Sequence, residues 1–242
     1  VNTTTDNSQR QPSVAALSDG GFIVTWASGL QDGDGNGVYG QRYDALGETV
    51  GSEFQINSYT IGDQEYPSVT ALAGGGYVVT WESRDGQDGD VGGIFGQRFD
   101  NNNNAVGNEF QINATTDGWQ HEPSVASLPN GGFIVSWFGM PADVRHIYGQ
   151  QFDETGSPVG TEFQIDTIHG AGDSSGDMPS VSSFSDGGFV VTWGTLWTDG
   201  DSRNEIYGQR FDPSGQKLGS EFLVNTVTEN EQTEPVVQSL TG

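Results

Sequence analysis

Cysteine is absent from this 242-residue chain, lysine occurs once at Lys217, and 8 Lys and Arg residues stand against 33 Asp and Glu, for a formal net charge of −25. Without cysteine, neither disulfides nor thiolate metal sites hold the chain together. So few bases rule against nucleic acid as a partner, because neutralising phosphates takes clustered Lys and Arg. No stretch approaches the roughly 20 apolar residues of a membrane span, so membrane insertion is not expected. Histidine occurs only as His121, His146 and His169, with no His-x-x-His or Gly-x-Ser-x-Gly context, and no catalytic residue is assigned. No signal peptide is visible at Val1, so the expected export signal lies outside this sequence.

What is present is repetition. Pro12-Ser13-Val14, Pro67-Ser68-Val69, Pro123-Ser124-Val125 and Pro179-Ser180-Val181 recur at steps of 55, 56 and 56 residues, and Pro235-Val236-Val237 follows after another 56. One copy reads as four short strands: Ser13 to Leu17, Phe22 to Trp26, Val38 to Tyr43 and Glu53 to Asn57. Turn residues such as Asp19-Gly20-Gly21 and Asp44-Ala45-Leu46-Gly47 separate them. In the second strand Phe22, Val24 and Trp26 point one way and Ile23 the other, so the sheet needs apolar neighbours on both faces. Sustained helical periodicity is missing. These features predict an all-β chain, a four-bladed β-propeller of four-stranded antiparallel blades, as one domain over 1–242. Its repeats cover 12–66, 67–122, 123–178 and 179–234, with 235–242 a partial fifth copy or a closing strand.

Antiparallel order places the loops after the second and fourth strands on one side, and these are the long, variable ones. Asp32, Asp34 and Asn36 followed by Gly37 repeat the opening of a calcium loop, with oxygens at alternate positions; Asp85, Asp88 and Asp90 in copy two and Asp199 and Asp201 in copy four resemble it. An EF-hand also needs Glu at the twelfth position, where Tyr43 stands. Calcium finished by carbonyls, water or a neighbouring loop is the expected cofactor, and a solvated Asp-Gly turn is the alternative. Copy three has Pro141 at the corresponding place and is expected to bind no ion.

Six residues on these loops depart from the repeat and are candidate ligand contacts: Tyr66, Trp119, His121, Arg145, His146 and Trp197. Aromatic side chains outside the repeating series offer a platform for the apolar face of a sugar, with Asp, Asn and Gln nearby for its hydroxyls. Packing of each loop on its own blade is the competing explanation. The repeating Trp26, Trp81, Trp137 and Trp193 are assigned to the core, and Arg42, Arg98 and Arg210 to bonding within or between blades. Gln9, Gln64, Gln120 and Gln232, just before the first strands, are expected to cap loop backbone, with contact to a ligand at the channel mouth as the alternative.

The run Pro-Ser-Val, Asp-Gly-Gly-Phe-Val-Val-Thr-Trp, Ile-Tyr-Gly-Gln-Arg-Phe-Asp and Gly-x-Glu-Phe-Gln-Ile-Asn resembles tandem repeats of large secreted bacterial proteins, often beside haemolysin-type calcium repeats. The likeness covers essentially the whole chain. It implies export, calcium, neighbouring domains of a larger chain, and adhesion or attachment to polysaccharide. The nonapeptide array of calcium β-rolls is missing, and the Asp-Gly-Gly-Phe turn is loosely similar to the Asp-box hairpin of sialidase propellers. The expectation is therefore a secreted, calcium-associated module binding carbohydrate or polysaccharide in the manner of a lectin or adhesin. One alternative is a polysaccharide-degrading hydrolase or lyase, using two carboxylates, or Tyr and His, on the loop face. The other is a structural spacer of a large adhesin.

Overall fold

Every copy of the repeat folds into one four-stranded antiparallel sheet whose strands lie in chain order. The computed structural model describes residues 1–167, 178–196, 204–227, 230 and 232–239. Blade 1 holds β1 (Gln9–Ala16), β2 (Phe22–Gly29), β3 (Asn36–Tyr43) and β4 (Thr49–Gln55). Blade 2 holds β5 (Gln64–Ala71), β6 (Tyr77–Arg84), β7 (Gly92–Phe99) and β8 (Ala105–Gln111). Blade 3 follows with β9 (Gln120–Ser127), β10 (Phe133–Gly139), β11 (His146–Phe152) and β12 (Pro158–Gln164), and a 3-10 turn, Pro141–Asp143, joins β10 to β11. Blade 4 is β13 (Ser180–Ser183), β14 (Phe189–Leu196), β15 (Asn204–Phe211) and β16 (Lys217–Leu223). The fold class is all-β, with the four blades of a four-bladed β-propeller. The chain divides into two compact units, Val1–Pro123 and Ser124–Gly242.

Burial on both faces of the second strands is what the sequence pattern requires: Tyr77, Val78, Val79 and Trp81 are all at most 1% exposed. In the first unit Ile23, Val38, Ile56, Val69, Tyr77, Val79, Trp81, Phe95 and Phe99 form one core. Trp137 and Trp193 are equally buried in the second. Successive first strands are joined by one recurring bond, in which the backbone N–H of a valine donates to the serine hydroxyl one repeat earlier. It links Val69 to Ser13 at 3.2 Å, and Val181 to Ser124 and Val237 to Ser180 at 3.1 Å. Val237 and Ser239 thus bond the first strand of blade 4, at Ser180 and Ser182.

Two repeated motifs acquire specific jobs. Gln41, Gln97, Gln150 and Gln209 each donate from Nε2 to the carbonyl of the next residue and reach the carbonyls of the fourth strand at its bulge. Arg42 bonds Asp19 in the β1–β2 turn and the carbonyl of Asn101 in blade 2, a staple between blades. Gln151 takes the same position in blade 3 and reaches the carbonyl of Pro213 at 3.4 Å.

Strands β1, β5 and β9 begin earlier than their Pro-Ser-Val motif suggests, whereas β13 begins at Ser180. Gln11, Tyr66 and Glu122, each just before a proline, have φ of 53°, 52° and 54°. The register shifts between Arg10 and Ser13 and between Glu65 and Ser68, so pairing resumes on the far side of the proline. A proline is tolerated there because a bulge leaves its missing N–H unneeded, and the bulge re-aims the residues before it. Those residues are Arg10, Glu65 and His121.

Candidate functional site

Past the bulge, β5 and β6 place Glu65 directly opposite Glu82. Both carboxylates are buried, at 5% and 1% exposure. Two charges on neighbouring strands at that depth need counter-ions. Arg84, two residues beyond Glu82 on the same face of β6, supplies one: its Nε lies 2.6 Å from Glu82 Oε1 and its Nη2 3.4 Å from Glu65 Oε2. Arg10 approaches Glu65 Oε1 at 3.6 Å from β1. On the other flank Glu82 Oε2 is 3.2 Å from His121 Nδ1 and accepts the Glu122 backbone N–H at 3.2 Å. Trp119 stacks on the His121 ring, with centroids 5.1 Å apart and planes 8° from parallel. Asn36 closes the group by donating to Asp63 Oδ1 at 2.7 Å and Glu65 Oε1 at 2.8 Å.

The two carboxyls are pushed apart. Burial raises Glu65 above its ordinary value, and the pull of Arg84 and Arg10 does not offset this. Burial acts on Glu82 too, but the hydrogen bond and charge of His121, with those of Arg84, outweigh it and hold Glu82 below its ordinary value. Tyr66, on the bulge beside them, is raised by burial and by the charges of Glu122, Glu82 and Glu65. Glu65 therefore holds its proton to higher pH than Glu82 does. Glu82 Oε2 meets His121 at Nδ1, which leaves Nε2 as the ring nitrogen not engaged by that carboxylate.

Of the six ligand candidates, the structure gathers Tyr66, Trp119 and His121 at this cluster. Arg145 lies elsewhere, over the Phe138 ring at 5.4 Å in blade 3. His146 turns into blade 3, its Nδ1 3.3 Å from Asp166 Oδ2 and 2.9 Å from Gln164 Nε2. Trp197 lies outside the described residues, as do Asp199 and Asp201.

The remaining acidic-loop residues serve the backbone around them. Asp34 Oδ2 accepts the Gly62 N–H at 3.2 Å and Asp90 Oδ2 the Gly118 N–H at 3.0 Å, so each β2–β3-type loop ties down the linker to the next blade. These contacts put the two loop types on one side, as the strand order implied. Asp32 and Asp88 each receive the N–H two residues on and press their Oδ2 atoms against Gly37 and Gly93; neither Oδ2 has a protein partner. Asn36 faces the Glu65 cluster, and the carbonyl of Asp85 accepts the Tyr59 hydroxyl at 3.4 Å. Among the described residues no three His, Asp or Glu side chains are placed together to hold a metal ion.

Sequence reasoning missed Arg10, Glu65, Glu82, Arg84 and Glu122. A signal for two of them existed: after the repeating tryptophan the copies read Ala27, Glu82, Phe138 and Gly194, then two residues on Gly29, Arg84, Met140 and Leu196. A carboxylate at a core position, with a guanidinium one turn of pleat away, is a departure that demands a partner.

No family model matches the chain, and no curated protein matches its sequence. Solved structures do match. A protein of unknown function from Dyadobacter fermentans superposes with a TM-score of 0.58 at 13% identity, over 89% of this chain and 68% of its own. The endo-arabinase of Bacteroides thetaiotaomicron gives 0.56 at 13% identity, over 91% of this chain and 82% of its own. The alpha-L-arabinofuranosidase of Lactobacillus brevis gives 0.54 at 12%, over 88% and 73%. The likeness is one of fold. At such identities it leaves the chemistry to be argued from this chain's own residues.

Proposed function

We propose that this chain acts on carbohydrate, hydrolysing a glycosidic bond at the cluster of the first unit. The observation that carries the reading is the pair Glu65 and Glu82, opposed across β5 and β6 and driven in opposite directions by their surroundings. Glu65 is the carboxyl suited to give a proton to the leaving oxygen. Glu82 acts as a positioning residue, holding His121 so that Nε2 is available to a water, while Trp119 and Tyr66 offer ring faces to a sugar. Fold likeness to chains described as arabinan- and arabinofuranoside-cleaving enzymes supports the carbohydrate reading by analogy.

The near-complete burial of both carboxylates favours a second reading, binding without turnover. Release of reducing ends from a panel of polysaccharides separates the two. Turnover that falls by about 10² or more in Glu65→Gln supports hydrolysis; retention on a polysaccharide with no turnover in either protein supports binding; neither on any polymer sinks both.

Calcium in the β2–β3 and β6–β7 turns is a separate proposal, supported by the matched Asp32 and Asp88 oxygens that lack a protein partner. Export and a place among neighbouring repeats are supported by the sequence resemblance alone.

A further inference from the structure

Resting on that carbohydrate reading, we infer that the site selects neutral sugars and rejects uronic, sialic and sulfated ones. The first unit owns four arginines, Arg10, Arg42, Arg84 and Arg98, and one histidine, His121. Three of these five bases converge on the cluster, yet each is already engaged by a buried carboxylate: Arg84 by Glu82 and Glu65, Arg10 by Glu65, His121 by Glu82. Arg42 is committed to Asp19 and Asn101.

An incoming carboxylate or sulfate that recruits Arg84 would draw it from Glu65 and Glu82, carboxylates 5% and 1% exposed, and weaken their pairing. Weakening a buried pair in this way is unfavourable. The groups around the cluster add to the exclusion. Glu122 and Asp63 are only partly buried, and Glu122 is close enough for its charge to raise Tyr66. Net of its pairs the cluster is negative, inside a chain of formal charge −25. A neutral ring asks for none of this. Its hydroxyls are served by acceptors already present, the carboxylates of Glu122 and Asp63, and its apolar face by Trp119.

The test is affinity electrophoresis of the whole chain in gels holding a neutral polymer (arabinan, galactan, mannan) or an anionic one (polygalacturonate, a sulfated galactan), at two salt concentrations. The expected result is retardation by at least one neutral polymer and none by the anionic ones. Retardation by an anionic polymer equal to or greater than by neutral ones overturns the selectivity while leaving the carbohydrate reading intact. Absence of retardation by every polymer overturns both.

Two variants read the cause. Glu65→Gln releases Arg10 and one side of Arg84, and is expected to gain anionic-polymer binding by about tenfold, the scale of a single desolvated charge pair. Glu122→Gln neutralises a partly buried carboxylate at the edge of the cluster and is expected to shift the preference the same way by a smaller factor. If both fold and neither gains anionic binding, engaged guanidinium groups are not the basis of selection.

Discussion

Glu82 shows how much one side chain costs and organises. At 1% exposure it is bonded to Arg84, His121 and the Glu122 amide, and all three lose their partner in Glu82→Ala. Breaking a buried charge network by removing one member costs about 3–5 kcal/mol, so urea unfolding of the alanine variant should show a clear loss; a change below about 0.5 kcal/mol, the scale of an ordinary surface substitution, would contradict the account. The two carboxyls also give opposite pH signatures. Glu82, held below its ordinary 4.5, contributes stability that is present above pH 4.5 and is lost as pH falls through its lowered value. Glu65, raised above 4.5, binds its proton more tightly when folded, so its contribution is greatest below pH 4.5 and declines as pH rises through the raised value. Chemical unfolding from pH 3 to 7 should therefore find Glu65→Gln gaining on the parent as pH rises, and a difference independent of pH would refute the assignment. Tyr66, Trp119 and His121 stand out in the sequence because they depart from the repeat, although Tyr66 and His121 lie at the start of β5 and β9 rather than in loops. Glu65 was hidden by the bulge, since a first strand read from the serine after the proline leaves the residues before it outside the sheet.

Within an element, the glycines of the turns separate geometry from mere flexibility. A Cβ on Gly76, at φ +73° in the β5–β6 turn, would meet the carbonyl oxygen of Phe99, whereas one on Gly47, at φ +81°, meets nothing within 4 Å. Gly47→Ala pays only for the left-handed backbone, about 1–2 kcal/mol. Gly76→Ala pays that and must also displace a strand, so its unfolding midpoint should fall further; equal losses would show that the turn relaxes freely. Strand number, order and the buried tryptophans were open to sequence reading, because period-two alternation and Gly-Gly turns recur in register at Phe22 to Trp26 and its copies. The fourth strand was read too short. Gly51, at φ +73°, breaks the alternation of β4 at a bulge, and the strand begins before it at Thr49.

Across the whole molecule, charge dominates. With −25 on 242 residues, self-repulsion opposes compaction and salt relieves it. The melting temperature should rise between 10 and 500 mM NaCl. If the Asp32 and Asp88 turns hold calcium, millimolar calcium at constant ionic strength adds a further increase that Asp32→Asn and Asp88→Asn together abolish; an effect matched by magnesium and insensitive to those substitutions would assign it to screening. The repeat made the architecture readable because four copies average out local noise. The same averaging concealed the candidate site, whose departures from the repeat centre on Glu65, Glu82 and Arg84 of blade 2 and draw in Arg10, Asn36 and His121 from neighbouring strands.

The central claim is that a sugar meets the protein at Trp119 and His121 beside Glu65. The most direct measurement is a titration of the isotope-labelled chain with neutral oligosaccharides, following tryptophan indole and histidine ring signals by NMR. The account predicts that Trp119 and His121 shift together, while the buried Trp26, Trp81, Trp137 and Trp193 stay in place, and that Trp119→Ala removes the response. Saturable shifts confined to His146 or to other tryptophans, with Trp119 and His121 unmoved, would contradict it.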